Sequence, residues 1–158
     1  MDRLVNRPSF HKIAAVADPG GDKSQADWHD NKTAVDQFVD LMKEVGPRAE
    51  KAGMSLGLES YLSAKANLEL LDRIGSPAVE VYYDVGNSTD KGYDIYSEIR
   101  QLWARICEFH VKDGNYLLGQ GRIDVKKVRA ATDDIGYRGW MHRDQLSNSP
   151  IPIRFLPT

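Results

Sequence analysis

Residues 106–124 read ICEFHVKDGNYLLGQGRID, a short run of alternating character followed by a loop rich in glycine. Side chains on a strand alternate between its two faces, so Cys107, Phe109 and Val111 share one face, and Ile106, Glu108, His110 and Lys112 share the other. The first set can pack against a core, with Cys107 as a small core residue. The second places an imidazole and an ammonium where the strand runs out, which calls for an explanation beyond packing.

Reading outward from this strand, the chain alternates in type. Upstream, Ile95, Ile99 and Leu102 carry a helix near residues 94–104, and VEVYYD (79–84) is a strand. Before it, a helix starts on the N-cap Ser63 and stops at Gly75, after the strand MSLGLES (54–60). Val35, Phe38, Val39, Met42, Val45, Ala49 and Ala52 form one stripe of a long helix ending at Gly53, with a kink expected at Gly46-Pro47. Farther back, KIAAVAD (12–18) is a buried strand closed by the turn former PGG. Downstream, Asp124 caps a helix bearing Val125, Val128 and Ile135, Gly136 ends it, and GWMHRD (139–144) supplies a last strand.

Strand and helix in strict alternation predict a parallel sheet covered by helices, either an open doubly wound sheet or a (β/α) barrel. No G-x-G-x-x-G or G-x-x-x-x-G-K-[ST] follows a strand, which removes the nucleotide-binding forms of the open sheet and favours the barrel. Glu59 and Asp84 then end their strands, and His110 lies near the end of the next. All three reach the carboxyl-terminal rim, where parallel α/β folds keep their chemistry. By residue number they are 25 and 26 positions apart, about one βα unit each, which puts them on neighbouring strands. Alone, each has a plainer reading as a loop cap, an ion-pair partner or a structural histidine. Together, two carboxylates and an imidazole at one level require cations or a metal to offset their desolvation.

The remaining polar residues near this rim add detail. Lys112 and Asn87 are candidates for contacting substrate oxygens, and Gly86 in DVGN permits a tight turn. Asp113 reads as a loop ion pair, and Tyr137 and Trp140 as packing residues. Gly119 and Gly121 offer backbone amides near the site, but no phosphate-cradling motif accompanies them.

Composition bounds the rest. With 158 residues, 41% hydrophobic and 28% charged, the chain is read as one domain over 1–158 with irregular tails at 1–11 and 147–158. The net charge of −2 is dispersed, which argues against nucleic acid or an anionic membrane surface as partner. No apolar run approaches a bilayer span, no secretory leader is visible, and the single Cys107 forms no internal disulfide, so a cytoplasmic protein is expected.

The motifs LGLES, YYDVGN, FHVKD, LGQGRID and GYRGW, in this order and spacing, resemble the later strands of the xylose isomerase-like sugar isomerase and epimerase barrels. The resemblance implies a (β/α)8 barrel holding a divalent metal through residues of four successive strands, which map onto Glu59, Asp84, His110 and Asp144. At the fourth position Asp144 stands where the pattern has Glu, one methylene shorter. The resemblance further implies that the first and last ligands, Glu59 and Asp144, are the catalytic pair that removes and returns a proton. Carboxylate and imidazole ligation suits Mn²⁺, Mg²⁺, Co²⁺ or Zn²⁺, which would stabilise an enediolate made from a sugar or polyol. The expected function is therefore a metal-dependent isomerase or epimerase. A non-catalytic remnant of such a barrel is the alternative, and a metal-dependent nuclease of the same superfamily is a weaker one.

Counting adds an architectural expectation. A (β/α)8 barrel takes about 250 residues, so this length holds about five units, a partial TIM barrel. Such an arc leaves edges and an inner face open, and a homo-oligomer with apolar inner-face residues in its interface is expected. The tail SNSPIPIRFLPT, with prolines at 150, 152 and 157, is expected to run extended across a surface.

Overall fold

In the computed structural model, residues 13–17 and 32–143 are described. The order is β1 (Ile13–Ala17), α1 (Lys32–Ala52), β2 (Ser55–Glu59), α2 (Ala64–Ile74), β3 (Val79–Asp84), α3 (Val85–Asp90), α4 (Ile95–Leu102), β4 (Ile106–Val111), α5 (Val125–Asp134) and β5 (Met141–Arg143). The strands form one sheet in the order β1-β2-β3-β4-β5, every neighbouring pair parallel. A doubly wound sheet reverses its order at a switch point; this one never does. Sequential parallel strands with intervening helices are an arc of a (β/α)8 barrel, five strands of it.

Each helix forms for local reasons. The Ser63 hydroxyl accepts from the Ala66 amide, and Gly75, with φ of 76°, closes α2 by donating its N–H to the Leu71 carbonyl. Asp124 and Asp94 cap α5 and α4 by accepting from the amides two and three residues on. Helix α1 runs unbroken through Pro47. It passes so close to the α2–β3 connection that a Cβ on Gly46 would lie 2.6 Å from the Ser76 side chain.

The core lies between the helices and one face of the sheet. Leu56, Leu58, Val79, Val81, Tyr83, Ile106, Phe109 and Val111 are buried with Val35, Val39 and Met42 of α1, Leu70, Leu71 and Ile74 of α2, and Ile99 and Leu102 of α4. Ile106 is on this side, not on the His110 side as strict alternation predicts. Its partner is Val81, yet Glu108 already pairs with Tyr82, so Cys107 is an extra residue in a bulge. The Cys107 thiol donates to the Val81 carbonyl. Tyr137 packs edge-on against Phe109 with ring centroids 4.8 Å apart, as a packing role requires, whereas Trp140 is 80% exposed.

The opposite face corrects a second expectation. In register with one another, the inward positions of β2 to β5 carry Ser55, Gly57, Glu59, Glu80, Tyr82, Asp84, Glu108, His110 and His142. Among the described residues these inward positions are mostly polar and form no second hydrophobic layer. Helix α3 was also not legible in advance. It starts directly from the end of β3 without an intervening loop.

Candidate metal centre

Glu59 is the last residue of β2, Asp84 the last of β3, and His110 the last but one of β4, directly opposite Asp84 in the ladder. The ends of three successive strands therefore bring all three together. His110 Nδ1 lies 3.0 Å from Glu59 Oε1 and 3.1 Å from Asp84 Oδ2. One ligand atom from each residue falls within 4.8 Å of the other two, a separation that one ion can bridge.

Asp84 does two jobs at once. Its Oδ1 caps α3, accepting from the Gly86 amide at 2.8 Å and the Asn87 amide at 3.0 Å. Its Oδ2 faces the site, 2.5 Å from Lys112 Nζ. One oxygen thus caps the helix while the other faces the cluster. Because Asp84 is the N-cap, Gly86 is an α3 residue and not a turn glycine. What requires glycine is proximity: a Cβ there would lie 2.6 Å from Lys112 Cγ and 2.9 Å from the Lys112 carbonyl oxygen.

The charges of the cluster compensate one another. The bond to Asp84 raises the His110 pKa to about 9 against the opposing effect of burial, with Glu59 adding to the rise, so the ring is charged at neutral pH. Burial pushes the Asp84 carboxyl up, but His110 and Lys112 outweigh it and hold it below the ordinary value. Burial likewise opposes the charge on Lys112, and Asp84 overcomes it, leaving the amine raised. Two carboxylates are thus balanced by one imidazolium and one ammonium. A divalent ion supplies the same positive charge at one point, so the donor set fits such an ion.

The surroundings hold the imidazole in place. Tyr82 stacks on the His110 ring at 5.9 Å and His142 meets it edge-on at 5.3 Å. Asn87 is buried on α3, donating weakly to the Ser60 carbonyl at 3.5 Å, while its Oδ1 takes no hydrogen bond among the described residues. Asp113 forms backbone bonds instead of the expected ion pair: its carboxylate accepts from the Arg122 and Ile123 amides, stapling the glycine-rich loop beside the site. Gly121 in that loop packs against the Asp113 carboxylate, leaving no room for a Cβ. Glu98, passed over in the sequence, is also buried close by; its signal was a charge inside the apolar stripe of α4. Asp144, the fourth expected ligand, lies outside the described residues, as do the tails.

A family model, the xylose isomerase-like TIM barrel, matches residues 8–144. The chain belongs to that family. A 2-epi-5-epi-valiolone 7-phosphate 2-epimerase of Actinoplanes sp. is 30% identical over 117 residues, covering 68% of this chain and 37% of the relative. A 3-oxo-isoapionate decarboxylase of Pectobacterium atrosepticum is 30% identical over 96 residues, 59% of this chain and 34% of the relative. Among solved structures, the D-psicose 3-epimerase of Clostridium cellulolyticum H10 superposes with a TM-score of 0.67 at 24% identity, over 78% of this chain and 45% of that one. The xylose isomerase-like chain described here therefore spans about a third to a half of the length of these relatives. No helix among the described residues is long and apolar enough to cross a membrane.

Proposed function

We propose that the protein is a divalent-metal-dependent sugar isomerase or epimerase that moves a proton at the carbon next to a carbonyl. The observation that carries this reading is the convergence of Glu59, Asp84 and His110, with their ligand atoms inside 4.8 Å, at the rim of three successive strands. Kinship to a 2-epi-5-epi-valiolone 7-phosphate 2-epimerase supports a sugar or polyol as the substrate.

In this reading Glu59, Asp84 and His110 hold the metal, Mn²⁺, Mg²⁺, Co²⁺ or Zn²⁺, with Asp144 as the fourth ligand. When bound, the ion contributes Lewis acidity toward a carbonyl oxygen. Glu59 is the base. Its side chain is 29% exposed where that of Asp84 is fully buried, so it is the carboxylate that a substrate can reach. Asp84 is committed to α3 and to the site's charge. Asp144 is the partner that returns the proton. Lys112 and Asn87 orient substrate oxygens, Lys112 leaving Asp84 to do so once another cation is present, and Asn87 through its buried Oδ1. The protein works in the cytoplasm, without nucleic acid or membrane partners, as a homo-oligomer in which the edges of β1 and β5 find further contacts.

Two measurements test the reading. Calorimetric titration with Mn²⁺ is expected to show binding that falls by well over tenfold in Glu59→Gln and in His110→Ala. Incubation of the metal-loaded protein with a panel of ketoses and polyols in deuterated water is expected to label carbon next to the carbonyl, with loss of labelling in Glu59→Gln. Metal binding with no exchange on any compound supports the second reading, a non-catalytic remnant. The 2.5 Å contact of Lys112 with Asp84 favours that reading, because it already neutralises a ligand.

A further inference from the structure

Helix α4 buries a stripe of Ile95, Glu98, Ile99 and Leu102, an i, i+3, i+4, i+7 pattern in which one member is charged. Glu98 is 6% exposed, and among the described residues no Lys or Arg lies within ion-pair distance of it. A carboxylate in that position costs more than any apolar residue unless donors compensate it, so what it binds is informative. Its Oε1 accepts from the Ala64 amide at 2.7 Å and its Oε2 from the Tyr83 hydroxyl at 2.8 Å.

These donors belong to the two segments that carry the site's carboxylates. Ala64 is the first residue of α2, five positions after Glu59, and the intervening loop is pinned to the start of that helix. The Leu62 amide donates to the Ser60 hydroxyl, which bonds Asn67, and the Asn67 amide group donates to the Leu62 and Ser63 carbonyls. Tyr83 is the peptide neighbour of Asp84, the residue that caps α3. Moving Ala64 relative to Tyr83 therefore moves Glu59 relative to Asp84.

We propose that Glu98 is a positioning residue that ties the start of α2 to the end of β3 and so sets the spacing of Glu59 and Asp84 for a divalent ion. The inference rests on the metal reading of the site given above. Glu98 touches neither the ion nor the substrate; it acts through Ala64 and Tyr83. Its charge is accommodated because it faces the amide-rich first turn of α2 and sits in the first turn of its own helix. Burial raises its pKa, and the Ala64 and Tyr83 hydrogen bonds oppose that rise, consistent with a group held by hydrogen bonds and not by a cation.

Mn²⁺ affinity by calorimetry, with urea unfolding of the metal-free protein alongside, tests this. Glu98→Ala is expected to weaken Mn²⁺ binding about tenfold, in the range found when groups that orient metal ligands are removed. Tyr83→Phe, which deletes only one hydroxyl, is expected to weaken it several-fold. Glu98→Gln still accepts from the Ala64 amide and still bonds the Tyr83 hydroxyl, and is expected to restore affinity to within about threefold of wild type. Val128→Ala, in the core of α5 away from the site, is expected to lose stability with unchanged Mn²⁺ affinity, which separates positioning from general loosening. Wild-type affinity in Glu98→Ala overturns the inference; if that variant does not fold, wild-type affinity in Tyr83→Phe does so. Absence of Mn²⁺ binding by the wild type overturns the metal reading itself, and the inference with it.

Discussion

Replacing Gly86 by alanine separates two opposed effects whose signs differ. Gly86 lies in α3 and has no positive φ, and at such a position Gly→Ala normally stabilises a protein by about 0.4–1 kcal/mol through loss of unfolded-state freedom. Here the new methyl would lie 2.6 Å from Lys112 Cγ and 2.9 Å from the Lys112 carbonyl oxygen. The first neighbour is the middle of a side chain anchored at its far end on Asp84, and the second is backbone just past β4, so neither can swing away. Overpacking of this kind costs about 1–3 kcal/mol, which outweighs the entropic gain and leaves a net loss of about 1 kcal/mol. For a chain of this size that is about 2–4 °C in Tm. Urea unfolding of Gly86→Ala against wild type reads it directly. In a Lys112→Ala background the loss should shrink, because the Cγ contact is gone while the carbonyl contact stays. A Gly86→Ala variant as stable as wild type, or more so, would refute the close approach of α3 to Lys112, and with it the described geometry around Asp84.

Two further expectations concern titration and assembly. The His110 ring in the metal-free protein should titrate near pH 9 in an NMR experiment, raised by Asp84 first and then Glu59. Its raised pKa means that the stability it contributes is fully present below about 6.5, the unfolded value, and is lost as pH rises through about 9. A His110 pKa near 6.5 would show that the carboxylates do not face it. Sedimentation equilibrium at micromolar concentration is expected to show a dimer or larger oligomer, since β1 and β5 each pair with a single strand among the described residues. A monomer that unfolds cooperatively would refute the oligomer.

Local chemistry is written in the sequence. The alternation of strand and helix, the caps at Ser63, Gly75 and Asp124, and the placement of Glu59, Asp84 and His110 at strand ends depend on periodicity and on neighbours a few residues away. Spacing by one βα unit then implied adjacent strands, and the single sheet with unreversed order bears that out. What the sequence left open depends on partners distant along the chain. Only the fold shows that Cys107 forms a bulge opposite β3 and turns Ile106 toward the helices, because a bulge is a property of two paired strands. Likewise the inner face is polar because strands separated by a whole helix bring their carboxylates and imidazoles to one wall. Gly86 is glycine because Lys112, 26 positions later, passes beside it, and the buried Glu98 is accommodated because two segments from earlier in the chain present their donors to it. Periodicity records which residues face inward; only tertiary packing decides what they meet there, since steric contact and hydrogen bonding act between neighbours in space.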